Sequence, residues 1–194
     1  MSKLRALLAF WLIALTSACI DAEVEMNFVD ATTMEGALHV TLSRQLFDMT
    51  GGDIPKSCPD GEHALTEDSF TCHTKGSGSI EDLLLPFNGG ETSPAEGLRF
   101  ERTGKNSLKT TLDFSKTLAN REQPEDMGGM EDMMRAALAG HSFVFKIKAY
   151  KILNTTGTLS EDGKEARFII PVVTLLDKEP DFGGPFITEI QLEQ

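Results

Sequence analysis

Residues 143–176, FVFKIKAYKILNTTGTLSEDGKEARFIIPVVTLL, decide the fold because they hold two apolar strand patterns joined by turn residues. Over residues 141–152, apolar and polar side chains alternate with the period of two that is typical of a strand with one buried face. The intervening NTTG and SEDG carry the Asn, Asp, Ser and Gly of tight turns. In residues 166–176 the flanking Ile169 and Val173 are also apolar, which predicts a central strand covered on both faces.

The other predicted strands come in pairs with short helices between them. Residues 22–28 and 36–43 alternate on either side of a turn and predict a hairpin, as do residues 98–102 and 107–114. A last edge strand is predicted at 186–192. Short helices are predicted at 44–50, 80–85 and 131–139. The fold class expected from this order is α+β, a mainly antiparallel sheet with two or three short helices packed on it.

The N-terminus has the layout of a bacterial lipoprotein signal peptide. Lys3 and Arg5 precede an apolar run at 6–18, which is shorter than the roughly 20 residues of a membrane-spanning helix. Thr-Ser-Ala then leads directly to Cys19. This layout predicts a signal peptide at 1–18, acylation of Cys19, for example by palmitate, and one envelope domain at 19–194. The alternative is cleavage after Ala22 by the general signal peptidase, which would leave a soluble periplasmic protein.

The number of cysteines favours acylation. The chain has three, and acylation of Cys19 leaves Cys58 and Cys72 as an even pair for a disulfide bond in an oxidising compartment. Both lie in residues 53–78, which are rich in Gly, Pro, Ser and Asp and are predicted to be a loop closed by that disulfide. A zinc site that adds His63 and His73 is the alternative, although the spacing matches no common zinc motif.

The charge of the chain limits its partners. The formal charge is −12, and it becomes −14 once Lys3 and Arg5 leave with the signal peptide. An acidic domain is a poor partner for nucleic acid or for anionic headgroups. The predicted membrane attachment is therefore the lipid on Cys19, on the periplasmic side. Ile20, rather than an inner-membrane-retaining Asp, follows Cys19, which favours the outer membrane over the inner one.

The Met-rich residues 127–134, MGGMEDMM, have three interpretations. They can be the packing face of a helix, since positions three and four apart share a face and Ala137 continues the stripe. They can line a groove for a lipid or a protein partner, because Met adapts to varied apolar surfaces. They can bind Cu(I), which prefers thioether ligands. The groove would use Met130, Met133, Met134 and Leu138, and the copper site would use Met127, Met130, Met133 and His141.

The sequence contains none of the common catalytic patterns. G-x-S-x-G, H-E-x-x-H, the P-loop and the Rossmann glycine pattern do not occur. The four histidines, at 39, 63, 73 and 141, are scattered along the chain and predict no common site. We therefore expect no enzyme activity and no cofactor.

Three stretches resemble the LppM-type envelope proteins. They are CIDAEVEMNFV at 19–29, GALHVTLSRQLFDM at 36–49 and the stretch at 143–176 quoted above. The resemblance implies an α+β envelope domain with an apolar pocket suited to a lipid or glycolipid, and it implies no catalytic residues. This chain departs from those proteins at Phe168, where related chains often have Trp, and it has no pattern for their C-terminal transmembrane helix.

The function that we expect from the sequence is that of a membrane-anchored, non-enzymatic bacterial lipoprotein. It would bind a lipid-like ligand or an envelope protein partner. The alternatives are a periplasmic Cu(I)-binding protein and a structural or assembly lipoprotein without a small ligand.

Overall fold

A computed structural model describes residues 20–84, 97–117 and 131–193, which form two β-sheets around a shared core. The seven-stranded sheet has the order β3-β4-β2-β1-β7-β10-β9, and the four-stranded sheet has the order β5-β6-β11-β8. The strands are β1 (Ile20–Phe28), β2 (Thr33–Ser43), β3 (Glu62–Leu65), β4 (Ser69–Ser79), β5 (Leu98–Gly104), β6 (Ser107–Leu112), β7 (Ser142–Lys148), β8 (Lys151–Thr155), β9 (Thr158–Leu159), β10 (Glu165–Pro171) and β11 (Phe186–Gln191).

Five short α-helices lie among these strands in the described ranges, more than the two or three that we predicted. They are α1 (Arg44–Met49), α2 (Ile54–Ser57), α3 (Ile80–Leu84), α4 (Phe114–Thr117) and α5 (Glu131–Leu138), and a 3₁₀ helix follows β10 at Val172–Leu176. The additional helices, α2 and α4, have four residues each, too few for a helical period to be visible in the sequence. None of the helices in the described ranges is long and apolar enough to cross a membrane.

The α+β class and the mainly antiparallel pairing are confirmed. β1 pairs with β2 along its whole length, from Ile20 opposite Leu42 to Phe28 opposite Met34, which confirms the first predicted hairpin. β5 and β6 form the second hairpin. The pairing of β1 with β7 is parallel.

The predicted strand at 141–152 is two strands that belong to different sheets. β7 ends at Lys148, Ala149 donates its backbone N–H to Lys164, and β8 begins at Lys151 in the smaller sheet. The physical reason is a change of phase. Ile147 and Ala149 are both buried, as every second residue of a strand should be, but the next buried side chain is Ile152 rather than residue 151. The chain therefore turns after Ala149, and Ile152 packs into the core from the smaller sheet.

Two further strand predictions need correction. β10 ends at Pro171 and its outward side chain Ile169 is 57% exposed, so the strand is not covered on both faces. Val173 lies in the 3₁₀ helix rather than in the strand. β11 is an interior strand between β6 and β8, not an edge strand.

The region at 53–78 is not a loop, because it contains α2, β3 and most of β4. β4 pairs with β2 over eleven positions, from Ser43 opposite Ser69 to Thr33 opposite Ser79. Its buried residues Phe70 and Cys72 do alternate with less buried neighbours, but the glycines and serines that end the strand conceal this pattern. The predicted disulfide between Cys58 and Cys72 is present and links α2 to β4.

The main core lies between the two sheets. Phe168 of β10 stacks on Phe186 of β11, with ring centroids 5.3 Å apart, and on Phe114 of α4 at 5.9 Å. The buried residues from the larger sheet are Met26, Phe28, Ile147, Ala166 and Ile170, and those from the smaller sheet are Leu108, Leu112, Ile152, Phe186 and Ile190. We call the face of the seven-stranded sheet that bears this core the inner face, and the opposite face the outer face.

A second, smaller core covers the far end of the inner face. Phe47 of α1 stacks on Phe70 of β4, with ring centroids 4.2 Å apart, and the disulfide sulfurs of Cys58 and Cys72 are buried with them. Ser43 caps α1 by accepting a hydrogen bond from the backbone N–H of Leu46. The cap and the disulfide hold this small lobe against β2 and β4.

Candidate functional site

Part of the inner face is apolar but incompletely covered, and we call it the apolar strip. It consists of Ala22 and Val24 of β1, Leu38 and Val40 of β2 and Phe143 of β7. Ala22 lies opposite both Val40 and Phe143, and Val24 lies opposite Leu38, so the five side chains share one face. All are only partly buried, and Leu38 is 37% exposed.

The strip is bordered by covered surface on three sides. On the β4 side, Cys72 lies opposite Val40 and is buried under the small lobe. On the β10 side, Ile170 lies opposite Phe143 and is buried. Farther along β1, Met26 and Phe28 are buried in the main core. The fourth side is the start of β1 at Ile20, the residue that follows the predicted acylated cysteine.

The Met-rich helix lies only partly within the described residues. Met133 on α5 is 66% exposed, Met134 is half-buried and Leu138 is buried. Leu138 thus packs in the protein, whereas the side chain of Met133 is largely exposed. Met127 and Met130 lie outside the described residues, so the groove and copper interpretations stay predictions. The signal peptide and Cys19 also lie outside them.

An ion pair holds α5 in place. Arg135 Nη2 lies 2.8 Å from Asp177 Oδ1 and 2.9 Å from Glu131 Oε1. The hydrogen bond to Asp177, followed by the one to Glu131, raises the pKa of Arg135 above its ordinary value. The end of α5 is thereby tied to the residue that follows the 3₁₀ helix, next to β10.

His141, the predicted fourth copper ligand, is engaged by β1. Its Nδ1 lies 3.0 Å from Asp21 Oδ2, and the backbone N–H of Ser142 donates to the other oxygen of Asp21 at 3.0 Å. The ring is mostly buried, with 16% of the side chain exposed. One of its two nitrogens therefore has a structural partner at the start of β1.

The structure brings together two of the histidines that are scattered in the sequence. His39 of β2 and His73 of β4 lie directly opposite each other on the outer face. Their pairing could not be predicted because β4 was not recognised as a strand. His63 of β3, by contrast, lies opposite Cys72 of β4 on the inner face. Among the described residues, no group of three or more His, Cys, Asp or Glu side chains could hold a metal ion.

The outer face is polar, in contrast to the strip. Lys148 Nζ lies 2.8 Å from Glu25 Oε2, and Lys146 Nζ lies 2.5 Å from Glu23 Oε2. The hydrogen bond with Glu25 raises the pKa of Lys148. An open depression of about 600 Å³ next to these pairs is lined by side chains of β1, β2 and β4, among them Glu35 and Lys75. This mixed polar lining does not suit an apolar ligand.

Comparison with known proteins identifies the fold. No family model matches the sequence, and no curated protein matches it. The NMR structure of the folded domain of LppM from Mycobacterium tuberculosis matches with a TM-score of 0.50, covering 93% of this chain and 94% of that one at 10% identity. This chain is similar in fold to LppM. The resemblance predicted from the sequence is confirmed, and at this identity it concerns the fold alone.

Proposed function

We propose that this protein is a bacterial envelope lipoprotein, acylated at Cys19, that binds a lipid-like ligand on the apolar strip and has no enzyme activity. The observation that carries the proposal is the strip itself, whose five apolar side chains are only partly buried. An apolar surface of this kind, bounded on three sides by packed structure, is typical of a ligand- or partner-binding site.

The lining of the strip suits an acyl chain as the ligand. Burial of one methylene group contributes about 0.8 kcal/mol. A chain that fully buries about ten methylenes therefore gains roughly 8 kcal/mol, which lies within the 4–15 kcal/mol range of the cost of association, so binding requires most of the chain to be covered. Ala22, Val24, Leu38, Val40 and Phe143 carry no charge that would have to be desolvated.

The position of the strip supports access from a membrane. A strand rises about 3.3 Å per residue, so Val24 would lie roughly 17 Å from an acylated Cys19. The strip would stay within that distance of the bilayer surface, where lipids are available. The resemblance of the sequence to LppM-type proteins points in the same direction, because it implies an envelope domain with an apolar pocket.

A matched pair of variants tests the ligand proposal. Leu38→Lys places a charge in the strip, whereas Ile169→Lys places one on the outer face at a site that is 57% exposed. We expect the mature protein to bind a fluorescent fatty acid, Leu38→Lys to weaken binding at least tenfold, and Ile169→Lys to bind like the wild type. Equal binding by both variants, or no binding by the wild type, would refute the proposal.

Acylation is tested separately in the bacterial host. Growth with a radiolabelled fatty acid is expected to label the protein, and Cys19→Ser is expected to abolish both the label and the recovery of the protein in the membrane fraction. Unchanged labelling of Cys19→Ser would contradict acylation at this residue.

A further inference from the structure

About half of strand β4 has an open edge. β4 pairs with β2 along its whole length, but on its other side β3 pairs only with residues 70–73. Residues 74–79 therefore have no strand neighbour on that side among the described residues, and residues 75–78 are exposed. Every second residue of a strand directs its backbone N–H and C=O toward the same edge, so this stretch offers backbone donors and acceptors to another chain.

The sequence of this edge lacks the features that usually prevent the addition of a further strand. It reads TKGSGS at 74–79, without proline and with a single charge, at Lys75. A Cβ built on Gly76 or Gly78 would meet nothing within 4 Å, so the inner face beside these glycines is open. A bulky side chain on a neighbouring strand can cover edge glycines and stabilise the pairing.

The outer-face side chains next to this edge carry one charge of each sign. Lys75 lies opposite Ala37, and Ser77 lies opposite Glu35. All four line the depression of about 600 Å³ described above. Neither Lys75 nor Glu35 forms an ion pair with another described residue, and Glu35 accepts only a long hydrogen bond, 3.4 Å, from the Asn27 amide. Lys75 can therefore pair with a carboxylate on an added strand, and Glu35 with a cation that extends over the short Ser77.

We propose that an extended segment of a partner protein adds to β4 as an antiparallel strand and carries the local sequence Lys–apolar–Glu. Antiparallel pairing is the slightly more stable arrangement per residue. In this orientation the Glu of the partner faces Lys75, the apolar residue covers Gly76, and the Lys faces Ser77 and extends toward Glu35. Main-chain hydrogen bonds supply the affinity of such an added strand, and the alternate side chains supply its specificity.

A second copy of this chain is a poorer occupant of the edge. Residues 74–79 contain no acidic residue, so the same edge of a second copy would bring another cation and no carboxylate to Lys75. Like charges on neighbouring strands are destabilising. The edge is also separate from the apolar strip, which consists of side chains of β1, β2 and β7, so failure of this proposal would leave the lipid proposal intact.

Fluorescence anisotropy tests the proposal with the mature, disulfide-intact protein and a labelled hexapeptide, TVKFEV, capped at both ends. We expect saturable binding, and we expect Lys75→Glu to weaken it about fivefold because the new carboxylate opposes the Glu of the peptide. Lys105→Glu is the matched control, since this exposed lysine lies in the turn between β5 and β6 of the other sheet, and it should bind like the wild type. Absence of binding by the wild type, or an equal loss in the two variants, would overturn the proposal.

Peptides methylated on alternate backbone nitrogens test the pairing of the edge directly. An added strand donates hydrogen bonds to β4 from only every second N–H, so methylation of one alternate set should abolish binding and methylation of the other set should leave it nearly unchanged. Equal binding by the two methylated peptides would overturn strand addition. Sedimentation of the protein alone provides a further test, because a dimer that the peptide dissociates would assign the edge to a second copy and overturn the choice of partner.

Discussion

Asp21 and His141 join the start of β1 to the start of β7. The Asp21 carboxylate contacts the His141 ring through one oxygen and accepts the backbone N–H of Ser142 through the other, both at 3.0 Å. Asp21 is only two positions after the predicted acylated cysteine. The residues that would connect the domain to its lipid anchor are therefore fixed by side-chain contacts as well as by strand pairing.

Loss of the Asp21 carboxylate should loosen this junction. Asp21→Ala removes both contacts and leaves the Ser142 N–H without this acceptor, at a cost of about 1–2 kcal/mol. Asp21→Asn keeps an acceptor for Ser142 and should cost less. Urea unfolding of the three proteins measures the difference, and equal midpoints for Asp21→Ala and the wild type would contradict the expectation.

Removal of the disulfide should destabilise the small lobe. Cys58 and Cys72 are 14 positions apart, and a bridge closing a loop of that length stabilises a protein by roughly 3 kcal/mol. Thermal unfolding of the Cys58→Ala, Cys72→Ala double variant should show a loss of this order. Hydrogen exchange should then increase first in α1 and β4, which pack on the bridge, while β6 and β11 act as internal controls.

Gly157 is expected to tolerate no side chain. A Cβ there would lie 2.7 Å from Cε2 of Phe186 and would overlap the backbone oxygen of Arg167. Because backbone cannot move aside easily, Gly157→Ala should cost about 2–3 kcal/mol. Gly76→Ala is the matched control, since a Cβ there meets nothing within 4 Å. A chemical denaturation midpoint for Gly157→Ala that equals that of Gly76→Ala would show the contact to be unimportant.

Asp30 should make stability depend on acid pH. It accepts hydrogen bonds from the backbone N–H and hydroxyl of Thr32 and from the backbone N–H of Thr33, at 2.7–2.8 Å. These hydrogen bonds lower the pKa of Asp30 below its ordinary value of 3.8, and the bond from the Thr32 N–H has the largest effect. The stabilisation is present above that value and is lost as the pH falls through the lowered pKa.

The comparison with Asp30→Asn isolates this contribution. Asn keeps an acceptor in the β1–β2 turn but does not titrate. The unfolding free energy of the wild type should therefore fall more steeply between pH 4 and pH 2 than that of Asp30→Asn, measured by urea unfolding at each pH. Parallel pH profiles for the two proteins would refute the role of Asp30.

Local patterns predicted the elements whose periodicity is uninterrupted. Alternation identified β1, β2, β6 and β7, and the parity of the cysteines identified the disulfide, because each of these signals lies within a short stretch of sequence. β4 was missed because its glycines carry no side chain to show which face is buried. The break between β7 and β8 was missed because a change of sheet is a tertiary event, visible only as the shift in phase between Ala149 and Ile152.

The candidate sites were harder to predict than the fold. Among the described residues, α1, α4 and the second sheet cover only part of the inner face, and the apolar strip is the part that they leave; where these elements pack is not visible in the sequence. His39 and His73 are distant in sequence and meet only through the pairing of β2 with β4. Their common feature in the sequence is an outward position in a strand, which many surface residues share.

The parallel pairing of β1 with β7 also has a consequence for the order of folding. Asp21 and Ser142 are 121 positions apart, so the central strand of the larger sheet gains its second neighbour only when most of the chain has been synthesised. Contacts with such a large sequence separation slow folding. Until β7 arrives, one edge of β1 is open to pairing with other chains, which makes the incomplete chain prone to aggregation.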